Sequence, residues 1–328
     1  MIGKKIEASA AAKAAVNNPG RIFAVVSKDG KSGFERSHGD VIQSLYHSPK
    51  FKLSRSDKFF TIGSCFARNI EKSLVDDGIF CITSKCVIPD NLYERTGIGA
   101  RNGALNAYTP GAMRDLVRLA SRSDKETAAI LKVGDGEYCD MLTTGLRFMS
   151  EDEASFVRSK LIDTYSDLPS ADVVVLTLGY TESWFDEESG IFANRSPTGN
   201  IKLTRNNARF RFENLTSSSS CSLLRESIEH IKSASLRDVK IIVTVSPVPL
   251  HATFTEIDVI RANDYSKSAL LAAEEECASS YDYVDYFPSY QYVKYTNPSY
   301  AWDNDGVHVK QSLVDRIIGK FSDMYFSY

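Results

Sequence analysis

From residue 58 onward the chain alternates short apolar runs with longer stretches whose apolar residues recur at helical spacing. Lys58–Gly63 carries Phe59, Phe60 and Ile62 in a compact run and reads as a strand. Ser64 then opens a stripe of Phe66, Ile70 and Leu74, one face of a helix that Asp77-Gly78 stops. Ile79–Ser84 reads as a second strand, with Pro89 ending the stretch beyond it, and Pro110–Ala120 as a helix with proline in its first turn. Glu151–Leu161 looks helical. Ala171–Leu178 (ADVVVLTL) is almost wholly apolar, the pattern of a central strand covered on both faces. Ser219–Ala234 is an amphipathic helix carrying Leu223, Leu224, Ile228 and Ile231. Val239–Val245 is another buried strand, Ala262–Ser279 a helix, Tyr281–Tyr286 a short last strand and Lys310–Phe321 the closing helix.

Strands separated by helices predict an α/β fold, a three-layer α/β/α sandwich on a parallel sheet. Five strands in a doubly wound, flavodoxin-like order are expected. Ligands of such sheets sit beyond the carboxyl ends of the strands. Ser64, Gly179–Glu182, Ser246–His251 and the Asp305–His308 loop are all expected on that one rim. Residues 1–50 read as an arm packed on the main domain, broken by Asn17-Asn18-Pro19-Gly20. Arg21–Ser27 is its one strand candidate. Residues 51–328 form the main domain, with an insertion at 185–218 expected to fold as a β-hairpin or flap over the site.

Composition narrows the classes. Hydrophobic residues make up 43% and charged residues 25%, as in a soluble globular protein. A formal net charge of −3 argues against a global nucleic-acid or anionic-membrane binder. The six cysteines, Cys65, Cys81, Cys86, Cys139, Cys221 and Cys277, are scattered without a C-x-x-C pair, so neither a zinc site nor a redox pair is suggested. No His/Glu metal cluster, Walker loop or G-x-G-x-x-G unit is present in the sequence, and no metal or cofactor is expected. No apolar run approaches the roughly 20 residues that span a bilayer, and the alanine-rich start lacks a signal-peptide core. A cytoplasmic location is the default expectation, and the sequons at Asn194 and Asn214 then carry no meaning.

The chemistry concentrates at the first strand–helix junction. Ser64 after Gly63 has two readings: a helix cap, whose hydroxyl accepts a backbone N–H, or a nucleophile whose own N–H helps bind an oxyanion. Cys65 is the neighbouring rival, since a thiolate at a helix start is activated. His308 is the favoured base among five histidines. Asp305, three residues earlier, is placed to fix its tautomer. The plain reading of Asn304-Asp305-Gly306 is a turn. Oxyanion candidates are the Ser64 N–H, Gly103, Asn106 and Thr181. Glu182, Trp184 and His251 are candidate substrate contacts, with Trp184 suited to stacking on a sugar or to packing the flap. Arg68 is expected to pair with Glu71 or Glu182 or to touch substrate, a structural salt bridge being preferred.

Gly63-Ser64-Cys65-Phe66-Ala67 resembles the motif that names the GSCFA family, which looks like a branch of the SGNH (GDSL-like) hydrolases. Thr177-Leu178-Gly179 with Glu182 and Trp184, Ser246-Pro247-Val248-Pro249, Tyr286-Phe287-Pro288-Ser289-Tyr290 and Asp305-x-x-His308 agree in order, over roughly residues 48–322. The resemblance implies a Ser64–Asp305–His308 triad and a serine esterase or O-acyltransferase, with acetyl the expected group. It implies a glycan or other hydroxylated substrate, an acyl thioester or acylated sugar as donor for transfer, and a link to polysaccharide biosynthesis. Gly179-Tyr180-Thr181-Glu182 stands where that superfamily carries Gly-x-Asn-Asp, so Thr181 replaces the asparagine donor. Gly103 is chosen as the block-two glycine over Gly97, Gly99 and Gly111. A catalytically idle glycan-binding module on the same fold is the competing reading.

Overall fold

The computed structural model describes residue 2 and residues 5–24, 32–37, 45–94, 103–198 and 200–326. Nine strands lie among them: β1 Phe59–Gly63, β2 Ile130–Gly134, β3 Glu137–Asp140, β4 Val173–Leu178, β5 Glu182–Asp186, β6 Ile191–Ala193, β7 Phe210–Asn214, β8 Lys240–Val245 and β9 Val284–Tyr286. The central sheet has the order β1-β4-β8-β9 and is parallel throughout. β4 pairs on both sides, as its unbroken apolar sequence requires.

The pleat divides the sheet's side chains between two helical layers. Phe60, Ile62, Val174, Leu176, Ile241 and Val243 face one apolar cluster. The helices Glu151–Ser166, Ser217–Ala234 and Val259–Ser280 cover it with Leu161, Leu224, Ile228 and Leu270. Phe59, Val173, Val175 and Ile242 face the other. There the helices Cys65–Asp76 and Gln311–Tyr325 contribute Phe66, Ile70, Leu74, Val314 and Phe321. The fold is therefore mixed α/β, a four-stranded parallel sheet with helices on both faces.

Two expectations change. The second strand expected at Ile79–Ser84 reduces to one parallel bridge, Phe59 to Cys81, before the chain turns into the 3-10 helix Ile82–Lys85. Buried Glu71 supplies the reason: it takes hydrogen bonds from Thr61 (2.9 Å), Thr83 and Arg68 (2.7 Å). The turn delivers Thr83 to that carboxylate, and an unpaired buried charge would cost more than a lost strand pairing gains. Arg68 is thus the partner of Glu71. The insertion is larger than a hairpin: β6, β5 and β7 form a three-stranded antiparallel sheet that begins at Glu182, and the next helix begins at Ser217, capped by Thr216.

The antiparallel pair β2–β3 has no counterpart in the sequence-based reading; its turn holds Gly136 at φ 67°. Arg158 makes a bidentate, fully buried pair with Asp140 at the end of β3 (2.6 and 2.9 Å). Within the arm, Ala8–Val16 and Gly33–Ser37 are helical. Residues 21–24 are not in a strand, and 25–27 lie outside the described residues. His47 meets Asp285 of β9 at 3.2 Å, and Lys50 Nζ donates to the Val284 carbonyl at 2.8 Å, which fastens the end of the arm to the sheet edge. No helix among the described residues is long and apolar enough to cross a membrane.

Glu274, in helix Val259–Ser280, is fully buried and neither carboxyl oxygen has a hydrogen-bond partner among the described residues. Burial pushes its pKa well above the ordinary range, with Glu275 adding to the rise. The folded chain thus keeps a proton that the unfolded chain releases near pH 4.5. Above that point the unfolded state binds fewer protons, so this group's stabilising share falls as pH rises, by up to about 1.4 kcal/mol per pH unit. Glu274→Gln removes that dependence. Its stability gain over wild type in urea unfolding is expected to widen from about pH 5 to about pH 8; a constant difference would contradict the assignment.

Candidate functional site

Gly63 ends β1 with φ 152°, where a Cβ would lie 2.5 Å from both the carbonyl oxygen and the Cβ of Thr177. Only glycine lets β1 run this close to β4 and still turn into the next helix. Ser64 follows, 2% exposed, as the N-cap of helix Cys65–Asp76. Its Oγ accepts from the Phe66 N–H at 3.4 Å. Its own N–H donates to the Thr177 carbonyl at 3.3 Å, so the Ser64 N–H expected in an oxyanion hole is engaged with β4 instead. The first helical N–H, that of Cys65, has no hydrogen-bond acceptor among the described residues, as is usual for a helix start. The Cys65 thiol is half-buried and burial pushes its pKa up, which counts against an activated thiolate.

Beside this turn, Asn106 bridges Gly63 in parallel fashion and the Ala107 N–H donates to the Gly63 carbonyl at 2.8 Å. Gly103 stands three residues earlier, and its carbonyl accepts from the Asn106 N–H and the Thr144 hydroxyl. The structure therefore brings Ser64, Gly103 and Asn106 together. Thr181 drops out of the donor set. It is fully buried, its N–H donates to Ser266 Oγ (2.9 Å) and its hydroxyl to Asn214 Oδ1 (2.7 Å). Gly97 and Gly99 lie outside the described residues, and Gly111 packs under Phe192.

Asp305 and His308 are also brought together. His308 Nδ1 lies 2.5 Å from Asp305 Oδ2, while Asp305 Oδ1 accepts from the N–H groups of Val307 and His308 (2.9 Å each). The His308 contact, helped by those two N–H groups, holds the Asp305 carboxyl well below its usual range. The carboxylate fixes one ring nitrogen and leaves Nε2 free of hydrogen bonds among the described residues. The His308 side chain is 65% exposed, and no hydrogen bond joins it to Ser64. Its loop does not follow a strand directly, as expected from sequence: helices Ser289–Lys294 and Pro298–Ala301 intervene after β9. Trp302 and Val309 bracket the loop, bridge each other and pack on the apolar cluster that holds Phe66, which roots the loop on the Ser64 side of the sheet.

Glu182, Trp184 and His251 line one pocket of about 230 Å³, together with Tyr180, Asn194 and Phe254. Glu182 is buried and anchors the pocket's far wall, accepting from Thr253 Oγ1 (2.6 Å) and the Phe254 N–H (2.8 Å). Trp184 packs between Phe212 and Phe254, ring centroids 5.1 Å away in each case. His251 stands exposed at the rim. From pocket to serine the contacts run in series. Tyr180 stacks on Tyr108 (5.3 Å, 11°), Tyr108 meets Asn106 (3.1 Å), and Asn106 bridges Gly63.

Two further groups hold this rim and escaped sequence reasoning. Fully buried Lys267 donates to the carbonyls of Gly179 (2.6 Å), Ser246 (2.8 Å) and Val248 (2.7 Å), tying the loops after β4 and β8 to one ammonium. Burial pulls its pKa down to about 7, yet three carbonyl acceptors use all three ammonium protons and argue for the charged form. Asn194, on the far side, accepts from the Tyr108 N–H at 3.1 Å and donates to the Asn106 carbonyl. The only sequence signal was a buried-face lysine in an otherwise ordinary helix.

With this geometry in hand, comparison with protein families gives one result: the GSCFA family model matches residues 58–321. The chain belongs to the GSCFA family. None of the curated proteins matches it.

Gly63→Ala is expected to cost about 2–4 kcal/mol by combining positive-φ strain with overlap on Thr177; an unchanged urea midpoint would show that β1 and β4 tolerate a methyl group there. Lys267→Met strands three carbonyls and should lower stability by about 3 kcal/mol or more, read from the same unfolding curves.

Proposed function

We propose that this GSCFA-family chain is a serine-dependent ester hydrolase or O-acyltransferase acting on a glycan or other hydroxylated substrate. The observation that carries the reading is the Asp305–His308 pair, an imidazole whose Nδ1 is held by a carboxylate and whose Nε2 is unoccupied. Ser64, at the turn from β1 into helix Cys65–Asp76, is the nucleophile. Its hydroxyl proton passes to His308 Nε2 as Oγ bonds to the acyl carbonyl carbon. The leaving alcohol takes that proton back when its C–O bond breaks. Water or a sugar hydroxyl then attacks the acyl carbon while giving its proton to His308 Nε2, and that proton passes to Ser64 Oγ as the acyl–Oγ bond breaks. For this cycle the 303–308 loop must bring Nε2 within about 3 Å of Ser64 Oγ, a contact that commonly tightens only with substrate bound.

The reading carries with it an SGNH-type, flavodoxin-like architecture. Its support is the order β1-β4-β8-β9 and the Phe59–Cys81 bridge on the free edge of β1, where a fifth strand would lie. The pocket is walled by Trp184, Tyr180 and Phe254, and no lysine or arginine lines it among the described residues. That favours a neutral acyl or sugar moiety over the phosphates of a nucleotide-bearing thioester. A role in polysaccharide biosynthesis is compatible with such a substrate.

One observation favours the second reading, an idle glycan-binding module: Ser64 Oγ is spent on a helix cap and the imidazole stands apart in solvent. A fluorophosphonate probe separates the two. The catalytic reading expects a stoichiometric adduct on Ser64, absent in Ser64→Ala, and a loss of p-nitrophenyl acetate turnover of at least about 1,000-fold in that variant. Full turnover by Ser64→Ala would defeat it; sugar binding without labelling would establish the module.

A further inference from the structure

Asn106 is nine-tenths buried beside the Ser64 turn, and its amide is half satisfied. As placed, Nδ2 donates to the Tyr108 hydroxyl at 3.1 Å, while Oδ1 is buried with no hydrogen-bond partner among the described residues. An orphaned buried carbonyl oxygen costs about 1–3 kcal/mol. The two ends of a carboxamide have the same shape, so rotation by half a turn keeps the packing and exchanges the roles. The Tyr108 O–H then donates to Oδ1, and the NH2 group occupies the unpartnered position. A carbonyl oxygen repels a developing oxyanion, whereas an unpaired NH2 is what an oxyanion requires. The neighbouring Cys65 N–H donates to no other residue among the described ones, and the Ser64 and Thr181 N–H groups are already engaged.

We infer that Tyr108 is a positioning residue for the proposed reaction: its hydroxyl turns the Asn106 amide so that Nδ2, together with the Cys65 N–H, receives the oxyanion formed on Ser64. This rests on the catalytic reading above. The tyrosine is suited to the task because its ring is fixed independently. It stacks on Tyr180 at 5.3 Å, and its own N–H is held by Asn194 Oδ1. Tyr180, the other ring of the stack, lines the aromatic pocket. The group that selects the amide's orientation is thereby in contact with a wall of the substrate pocket.

The test is a mutant cycle with ester turnover as readout, plus a direct view of the amide. Asn106→Ala is expected to lower kcat about 100-fold or more with KM within about twofold. Tyr108→Phe keeps the ring and its stack and is expected to lower kcat about tenfold, with a thermal midpoint lowered by no more than the loss of one buried hydrogen bond implies. The double variant should be no slower than Asn106→Ala alone, because Tyr108 acts only through Asn106. Independent, multiplying losses, or a Tyr108→Phe enzyme with wild-type kcat, would overturn the inference. Neutron diffraction of the full chain decides the orientation without reference to catalysis: deuterium on Tyr108 Oη directed at Asn106 Oδ1 supports it, and Asn106 Nδ2 directed at Tyr108 refutes it. Failure of the catalytic reading has a different signature, turnover that survives Ser64→Ala.

Discussion

The contact between Gly63 and Thr177 is the constraint on which the rest of the molecule depends. β1 and β4 are in register from Phe59–Val173 to Gly63–Thr177, and the last pair leaves no room for a side chain on the β1 partner. Because the strands close up there, Ser64 starts a helix directly over the carboxyl end of the sheet, and Asn106 can lie along the other edge of the same turn. A bulkier residue would push apart the two strands that carry both apolar clusters. The site geometry and the core packing are thus set by one backbone approach.

Around that junction the rim is held by polar groups that serve backbone rather than substrate. Lys267 draws the ends of the loops after β4 and β8 onto one ammonium, Glu182 holds the segment at Phe254, and Asn194 holds the segment at Asn106 and Tyr108. Each is a long-range tie onto a segment with no secondary structure of its own at that point. Buried, fully paired polar groups of this kind fix a single arrangement, because any alternative leaves them unpaired in a low dielectric. Asp305–His308 is the opposite case. That pair is tied within its own loop and open to water, as the base of the proposed reaction would have to be in order to approach a buried hydroxyl.

The buried carboxyls show how differently one chemistry can be handled in one fold. Asp140 meets Arg158 in a bidentate pair, and Glu71 collects two hydroxyls and a guanidinium. Glu274 has no hydrogen-bond partner among the described residues and is kept neutral by its burial.

What the sequence determined by itself is local. Short unbroken apolar runs marked β1, β4 and β8, and the 3.6-residue period marked their helices, to within a few residues, because burial is written in the spacing of apolar side chains. The Gly63-Ser64 turn and the Asp305-x-x-His308 pair were legible for the same reason, since each partner lies within one turn of chain. Tertiary structure decided everything that depends on distant partners. It turned the expected strand at Ile79–Ser84 into a 3-10 helix to serve Glu71, and it engaged Thr181 with Ser266 and Asn214. It also gave Lys267 its three carbonyls and left the Asn106 amide half paired. A hydrogen-bond partner far away along the chain leaves no periodicity in the sequence, and only the folded chain can show which buried polar atoms find one.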